Sequence, residues 1–150
     1  MMKEASTSRL MDVLKNTDDM TFADYEKEYL QKEYDFVSYM DELIQEKNAK
    51  RSQLFVKADI PMKYGYKLLT RESITKDRDK LLRIFIALGM SLKEVQRALS
   101  LYGMAQLYPK NRRDVILIIC FNHGIDTVEE VNEKLQKEGE EPLSACRDSE

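Results

Sequence analysis

The chain has 150 residues, 43% hydrophobic and 34% charged, so it is long enough for one domain with a sizeable core. Its charges are too balanced in sign, and its aromatic residues too frequent, for a wholly disordered protein. Its longest apolar run, Val115 to Phe121, is far shorter than the roughly 18 residues that cross a membrane, and Met1 to Ser6 does not resemble a signal peptide. With a net charge of −3 and two cysteines, too few for a disulfide framework, the composition predicts a cytoplasmic protein without a membrane partner.

The first 35 residues are acidic and are predicted to form a helical extension. A short helix is expected around Ser8 to Leu14, and a longer amphipathic stretch begins at Phe22. Apolar residues recur along this stretch at spacings of three and four, as they do on one face of a helix. A break is expected near Asp35, and the same spacing then continues to Ile44.

Four more helices are predicted between residue 50 and residue 103, joined by short connections. Pro61 is compatible with the first turn of its helix, where the missing N–H costs nothing. Ser91 is followed three residues later by Glu94, which is typical of a capped helix start. The four helices are expected at Arg51 to Ala58, Pro61 to Thr70, Asp77 to Leu88 and 92–102.

Two further helices are predicted near the C-terminus, at 111–122 and 128–138. The seven apolar residues from 115 to 121 are compatible with a buried strand or a buried helix, and the length of the segment and the stop at Gly124 favour a helix. A flexible tail is expected after Gly139. Because no turn sequence of the hairpin type joins alternating segments, the predicted fold class is all-α.

Charge is distributed unevenly along the chain. Residues 1–46 carry 5 basic and 12 acidic side chains, residues 47–113 carry 16 and 5, and residues 114–150 carry 3 and 10. The corresponding net charges are −7, +11 and −7. A basic helical unit of this kind is typical of proteins that bind a phosphate backbone.

The predicted order is two helices packed at a turn of three to four residues, followed by supporting helices. Four segments lie within it: Tyr64-Gly65-Tyr66-Lys67-Leu68-Leu69, Arg78-Asp79-Lys80-Leu81-Leu82, Leu107-Tyr108-Pro109-Lys110-Asn111-Arg112-Arg113-Asp114 and Val131-Asn132-Glu133. The order of elements resembles the phage-repressor-like (XRE) helix-turn-helix family. The four segments carry a closer resemblance, over about residues 36–143, to a bacterial subgroup with an acidic helical N-terminal extension and a C-terminal helical pair.

This resemblance implies a lambda-repressor-like helix-turn-helix domain of five helices at 36–103, after the acidic extension at 1–35. A C-terminal helical pair at 104–139 would pack on it, followed by a tail at 140–150. The implied function is a DNA-binding transcriptional regulator that reads a major groove with the helix around 61–70. Because family members often bind palindromic sites as dimers, double-stranded DNA and a second copy of the chain are the expected partners.

The resemblance places the candidate DNA-binding residues on the predicted recognition helix and beside it. Lysine can reach guanine acceptors in a major groove, and apolar groups can contact thymine methyl groups. A helix N-terminus and basic residues in the flanking elements are suited to phosphates. The candidates are Met62, Lys63, Tyr66 and Lys67 on that helix, Arg51 and Gln53 on the preceding helix, and Arg71, Lys76 and Arg78 after it.

Two residues depart from the family pattern. Arg71 lies where the family usually has glycine, and a left-handed turn there would cost about 1 kcal/mol. Lys76 lies where proline is frequent. Both changes add positive charge and leave the apolar pattern intact, so they concern the local loop geometry rather than the fold.

An interaction adaptor that keeps the fold without binding DNA is the alternative, favoured by these two departures and by the low pI of about 5.4. Its acidic extension would bind a protein partner, or would mask the basic unit within the same molecule. An enzyme is not expected, because the chain has no phosphate-binding loop, nucleophile elbow or zinc-ligand spacing, and His123 is its only histidine. No catalytic residue, metal ligand or cofactor is therefore predicted.

Overall fold

The computed structural model describes residues 35–146 together with Ser8, Met11 and Phe22, and it divides the chain into two units, 1–35 and 36–150. In the first unit, Ser8, Met11 and Phe22 are helical and exposed, and Asp35 is exposed outside any helix. The rest of the predicted N-terminal helices lies outside the described residues. The described part of the second unit contains helices and loops but no strand, which confirms the all-α prediction for that part of the chain.

Seven helices form the described part of the second unit, and their bounds agree with the sequence-based predictions to within about two residues. The apolar run at 115–121, which sequence alone left ambiguous, is helical. The helices are α1 (Phe36–Glu46), α2 (Arg51–Ala58), α3 (Met62–Thr70), α4 (Arg78–Ala87), α5 (Leu92–Tyr102), α6 (Arg112–Asn122) and α7 (Val128–Lys137).

The central helix of this unit is α4. Every residue from Leu81 to Leu88 is buried, including Arg83, so α4 is covered on all sides. Helices α2 and α7 pack against it, and α3 packs against α2. Helix α1 contacts α3 and α5, while α5 also contacts α6, which pairs with α7. Among the described residues, the main contacts of α3 are with α2 and α1, and Met62, Lys63 and Tyr66 on its remaining face are exposed.

The helix start that was predicted from Ser91 and Glu94 is confirmed. The hydroxyl of Ser91 accepts a hydrogen bond from the N–H of Glu94 at 3.2 Å, and the Glu94 carboxylate accepts one from the N–H of Ser91 at 2.9 Å. Thr127 caps α7 by accepting from the N–H of Glu130 at 3.3 Å. At the other end of α5, Gly103 has a φ of 91°, a left-handed conformation that favours glycine.

Two ion pairs join α4 to α6. The guanidinium of Arg113 donates to both carboxylate oxygens of Asp79, at 3.0 and 2.8 Å, and this hydrogen bonding raises the pKa of Arg113. Arg78 pairs with Asp114, whose side chain is almost completely buried. The fork-like pair of Arg113 and Asp79 is stronger and more directional than an ordinary surface pair, and the two ion pairs together brace the start of α4 against α6.

Residues 140–146 are packed against the helices of the second unit, so the prediction of a flexible tail over 140–150 is wrong for this part of it. Leu143 is only 3% exposed. Its carbonyl oxygen and that of Ser144 accept hydrogen bonds from Arg83 at 3.2 and 2.7 Å. The polar sequence of the segment gave no sign of this packing, because most of the hydrogen bonds are made by its backbone. The last four residues lie outside the described part of the chain.

The two cysteines should differ in reactivity. Cys120 is 1% exposed on α6, and burial raises the pKa of its thiol, so its reactive thiolate forms only at higher pH than usual. Cys146 is half-buried. With a colorimetric thiol reagent at about pH 8, near the usual thiol pKa, we expect a fast phase from Cys146 and a much slower one from Cys120.

Two controls assign these phases. A Cys146→Ser variant should lose the fast phase, and unfolding the protein in denaturant should make the two thiols equally reactive. A fast phase that persists in Cys146→Ser would contradict the burial of Cys120.

Candidate nucleic-acid interface

The connection between α2 and α3 consists of three residues. Asp59 ends α2 in a left-handed conformation, with φ 56° and ψ 53°, and its N–H donates to the carbonyl oxygen of Val56 at 3.1 Å. Ile60 is 5% exposed and anchors the turn in the core. Pro61 immediately precedes α3, and its carbonyl oxygen accepts the first hydrogen bond of that helix from Gly65 at 2.9 Å. The turn is therefore short and fixed at its centre.

Gly65 lets α3 lie directly against α2. A Cβ atom at this position would be 2.5 Å from a ring carbon of Phe55, which is completely buried. The neighbouring ring of Tyr66 packs edge-on against Phe55, with ring centroids 5.1 Å apart and an interplanar angle of 71°. Sequence reasoning did not single out Gly65, because a glycine inside a helix does not indicate what lies opposite it.

The outer face of α3 carries four of the candidate residues. Met62 is 45% exposed and Tyr66 is 42% exposed, while Lys63 is exposed and Lys67 is half-buried. Lys63 and Lys67 are four positions apart and so lie on the same face of the helix. Neither ammonium group has a hydrogen-bond or ion-pair partner among the described residues. The face therefore presents two unpaired cations beside an aromatic and an aliphatic side chain.

The starts of α2 and α3 are suited to anions. Neither helix has a side-chain cap or an acidic residue in its first turn. By contrast, α4 to α7 each begin with a capping side chain and at least one acidic residue. At α2, Lys50 precedes the helix and the exposed Gln53 lies in the first turn. Unpaired N–H groups and the positive end of the helix dipole favour a phosphate at such a position.

Two candidate arginines contact the protein itself instead of facing outward. The guanidinium of Arg78 pairs with Asp114 and also donates to two carbonyl oxygens of the loop after α5, at 3.4 and 3.5 Å. The guanidinium of Arg71 lies over the ring of Tyr102, 4.5 Å from its centroid, and donates to the Tyr102 carbonyl oxygen at 3.3 Å. These contacts correct the prediction that Arg71 and Arg78 face a DNA backbone.

The remaining candidates are accessible. Arg51 pairs with Asp41 on the surface, where their side chains are 34% and 54% exposed. A pair this exposed contributes about 0–1 kcal/mol, so Arg51 can exchange its carboxylate for a phosphate. Lys76 is exposed in the loop between α3 and α4 and has no partner among the described residues.

Arg71 has a structural role at the end of α3. It takes the left-handed conformation that glycine usually supplies, with φ 61° and ψ 18°. The cost of about 1 kcal/mol is offset by the contact between its guanidinium and the ring of Tyr102. The hydroxyl of Tyr102 also accepts a hydrogen bond from the N–H of Thr75 at 2.9 Å. Tyr102 therefore holds the loop that follows α3 at two positions, Arg71 and Thr75.

Many basic side chains of residues 47–113 form intramolecular hydrogen bonds or ion pairs. Arg83 is buried among carbonyl oxygens, and other basic residues of this region form ion pairs. Among the described residues of this region, the basic side chains without a partner lie mostly on or beside α2 and α3. They are Lys50, Lys63, Lys67 and Lys76, and, away from these helices, Lys93 and Lys110.

The chain matches no protein-family model, no curated protein and no solved structure at a significant level. None of the helices formed by the described residues has the length and apolarity needed to cross a bilayer. Over the same residues, no group of three or more histidine, cysteine, aspartate or glutamate side chains is arranged to hold a metal ion.

Proposed function

We propose that the chain is a DNA-binding regulator of the helix-turn-helix type, in which α3 enters a major groove. The observation that carries this proposal is the outer face of α3, where Lys63 and Lys67 are unpaired beside Met62 and Tyr66. A major groove admits an α-helix, lysine ammonium groups reach guanine acceptors, and a methionine side chain can contact a thymine methyl group. No other described helix combines two unpaired lysines with uncapped N–H groups at its start.

The architecture around α3 supports the same proposal. Helices α1 to α5 would form the five-helix, lambda-repressor-like core, with α6 and α7 as the supporting pair. The three-residue turn and the close approach at Gly65 fix α3 relative to α2. Arg71 fixes the loop that follows. A recognition helix must keep its orientation when it is pressed against a duplex, and these contacts provide that rigidity.

Backbone contacts are assigned to residues around the two helices. Lys50 and the uncapped start of α2 would hold one phosphate, Lys76 would hold another, and Arg51 would leave Asp41 for a third. Each neutralised phosphate releases counterions, so the logarithm of the affinity should fall by about 0.9 per unit of log salt concentration for each contact. A palindromic site bound by a dimer, as the resemblance implies, would double this dependence.

A charge-reversed variant tests the proposal. Changing both Lys63 and Lys67 to Glu should weaken binding at least about 30-fold, because each groove contact is worth roughly 1–3 kcal/mol. The measurement is a fluorescence-anisotropy titration of a duplex recovered by selection from a random-sequence library.

The matched control changes Lys93 and Lys110 to Glu. Both are unpaired lysines outside α2 and α3, so the change in net charge is the same. The affinity of this control variant for the duplex should fall by less than about threefold at moderate salt, where distant charges are screened. Equal losses in the two variants, or a library from which no duplex is enriched, would rule the proposal out.

A protein-interaction adaptor is the second candidate, and one observation favours it. Three large apolar side chains are exposed on the same two helices: Val56 at 74%, Met62 at 45% and Tyr66 at 42%. Exposed apolar groups of this kind often mark a protein-binding surface. An adaptor would enrich no duplex in the selection. A Met62→Asp variant would no longer bind the protein partner, whereas the control variant with Lys93 and Lys110 changed to Glu would still bind it. Binding through the acidic extension involves residues outside the described part of the chain.

A further inference from the structure

A groove with a cavity volume of about 510 Å³ lies between α6 and α7, on helices that the proposed DNA contact does not use. Its floor is aliphatic and is formed by Val115, Ile116 and Ile119, with Cys120 beside them. Ile119 is 45% exposed, although isoleucine is among the residues most often buried. A volume of this size lies within the range of small-molecule sites.

The rim of this groove is mainly cationic. Lys134 and Lys137 line it from α7, three positions apart, and neither has a partner among the described residues. Arg112 lines it from α6, with Glu138 nearby: the two side chains are 3.7 Å apart, and Arg112 also donates to the Glu138 carbonyl oxygen at 2.9 Å. Glu138 is the only carboxylate among the described residues that line the groove, and it already faces Arg112. Lys134 and Lys137 border the apolar floor without an ion-pair partner among those residues.

We propose that this groove binds a small amphiphilic anion, with an aliphatic chain on the floor and one carboxylate or phosphate head group between Lys134 and Lys137. Charge complementarity selects an anion, because two unpaired ammonium groups border the apolar surface. The floor from Val115 to Cys120 extends only about 8 Å along α6 at 1.5 Å per residue. That length suits a short alkyl chain, whereas a docked helix needs anchors over at least two turns.

Binding of matched amphiphiles to the full chain tests this inference. Decanoate is the carboxylate probe, decyl phosphate is the phosphate probe, and decanol is the neutral control of the same chain length. With isoleucine and valine methyl groups labelled for NMR, decanoate should cause saturable shifts at Ile116, Ile119 and Val115 below its micelle concentration. Val56, an exposed aliphatic residue on α2, should not shift. The tighter of the two anions identifies the head group.

Two variants separate the head-group contact from the apolar contact. Changing Lys134 and Lys137 to Gln should lower the affinity for decanoate about threefold to tenfold, because two partly exposed charge contacts are lost. The affinity for decanol should not change. Changing Ile119 to Gln should weaken both ligands. Because all three positions are at the surface, thermal unfolding should show that the variants are folded.

Three results would overturn the inference. Chemical-shift changes of the methyl groups that do not saturate, or that are as large at Val56, would mean that the amphiphile adsorbs to any apolar surface. Decanol that binds as tightly as decanoate would remove the role of the lysines. If the chemical shifts of the groove methyl groups change when the protein is diluted without ligand, a second copy of the chain occupies the groove. None of these measurements requires DNA, so the inference can fail or stand independently of the proposed function.

Discussion

Replacing Arg83 by Met should destabilise the second unit by about 2–4 kcal/mol. The guanidinium of Arg83 donates to three carbonyl oxygens: those of Ala58 at 3.1 Å, Leu143 at 3.2 Å and Ser144 at 2.7 Å. Ala58 is the last residue of α2, and a cation is favourable at this negative end of the helix dipole. Without Arg83, buried carbonyl oxygens lose their hydrogen-bond donor, and each unsatisfied oxygen lowers the free energy of unfolding by about 1–3 kcal/mol. Part of this loss is offset because the variant no longer buries a charge.

The measurement is denaturant unfolding followed by far-UV circular dichroism, with Arg112→Met as the matched control. Arg112 has a side chain that is 62% exposed, so the same substitution should cost less than about 1 kcal/mol there. Arg83→Lys keeps the charge but can serve fewer of the three acceptors, so it should be intermediate. Equal stabilities of Arg83→Met and Arg112→Met would show that Arg83 does not hold the C-terminal segment.

The positions of the helices could be predicted because their signals are local. Apolar spacing indicates which face of a helix is buried, and Ser91 and Thr127 mark helix starts by bonds to groups three residues away. The packing of residues 140–146 could not be predicted in this way. Its main donor, Arg83, is about 60 residues distant along the chain, and its acceptors are carbonyl oxygens, which every residue has.

The candidate interface shows the same division. The shared face of Lys63 and Lys67 follows from their spacing on one helix, and the structure leaves both unpaired. The intramolecular roles of Arg71 and Arg78 depend on partners 31 and 36 residues away, which sequence spacing does not indicate. A basic residue beside a recognition helix therefore supports DNA binding only after its other partners in the fold are known.

Replacing Gly65 by Ala should destabilise the protein by about 1–3 kcal/mol, although alanine is the better helix former. Helix propensity alone predicts a gain of about 1 kcal/mol in the helix interior. Against this, the new Cβ would lie 2.5–2.7 Å from three ring carbons of Phe55. That ring is completely buried, so it cannot move away without disturbing the core, and overpacking of this kind costs about 1–3 kcal/mol or more.

A double-mutant cycle separates this clash from other effects of the added methyl group. In a Phe55→Leu background the side chain opposite Gly65 is smaller, so Gly65→Ala should lower the free energy of unfolding by less than it does in the original chain. Thermal or denaturant unfolding of the four proteins measures this coupling. Gly103→Ala is the control, because its Cβ would meet nothing within 4 Å and its cost of about 1 kcal/mol comes only from the left-handed backbone. That cost should be the same in both backgrounds. If Gly65→Ala instead stabilised the protein, α3 would not be held against α2 at Gly65. The fixed orientation that the proposed recognition helix requires would then lose its main support.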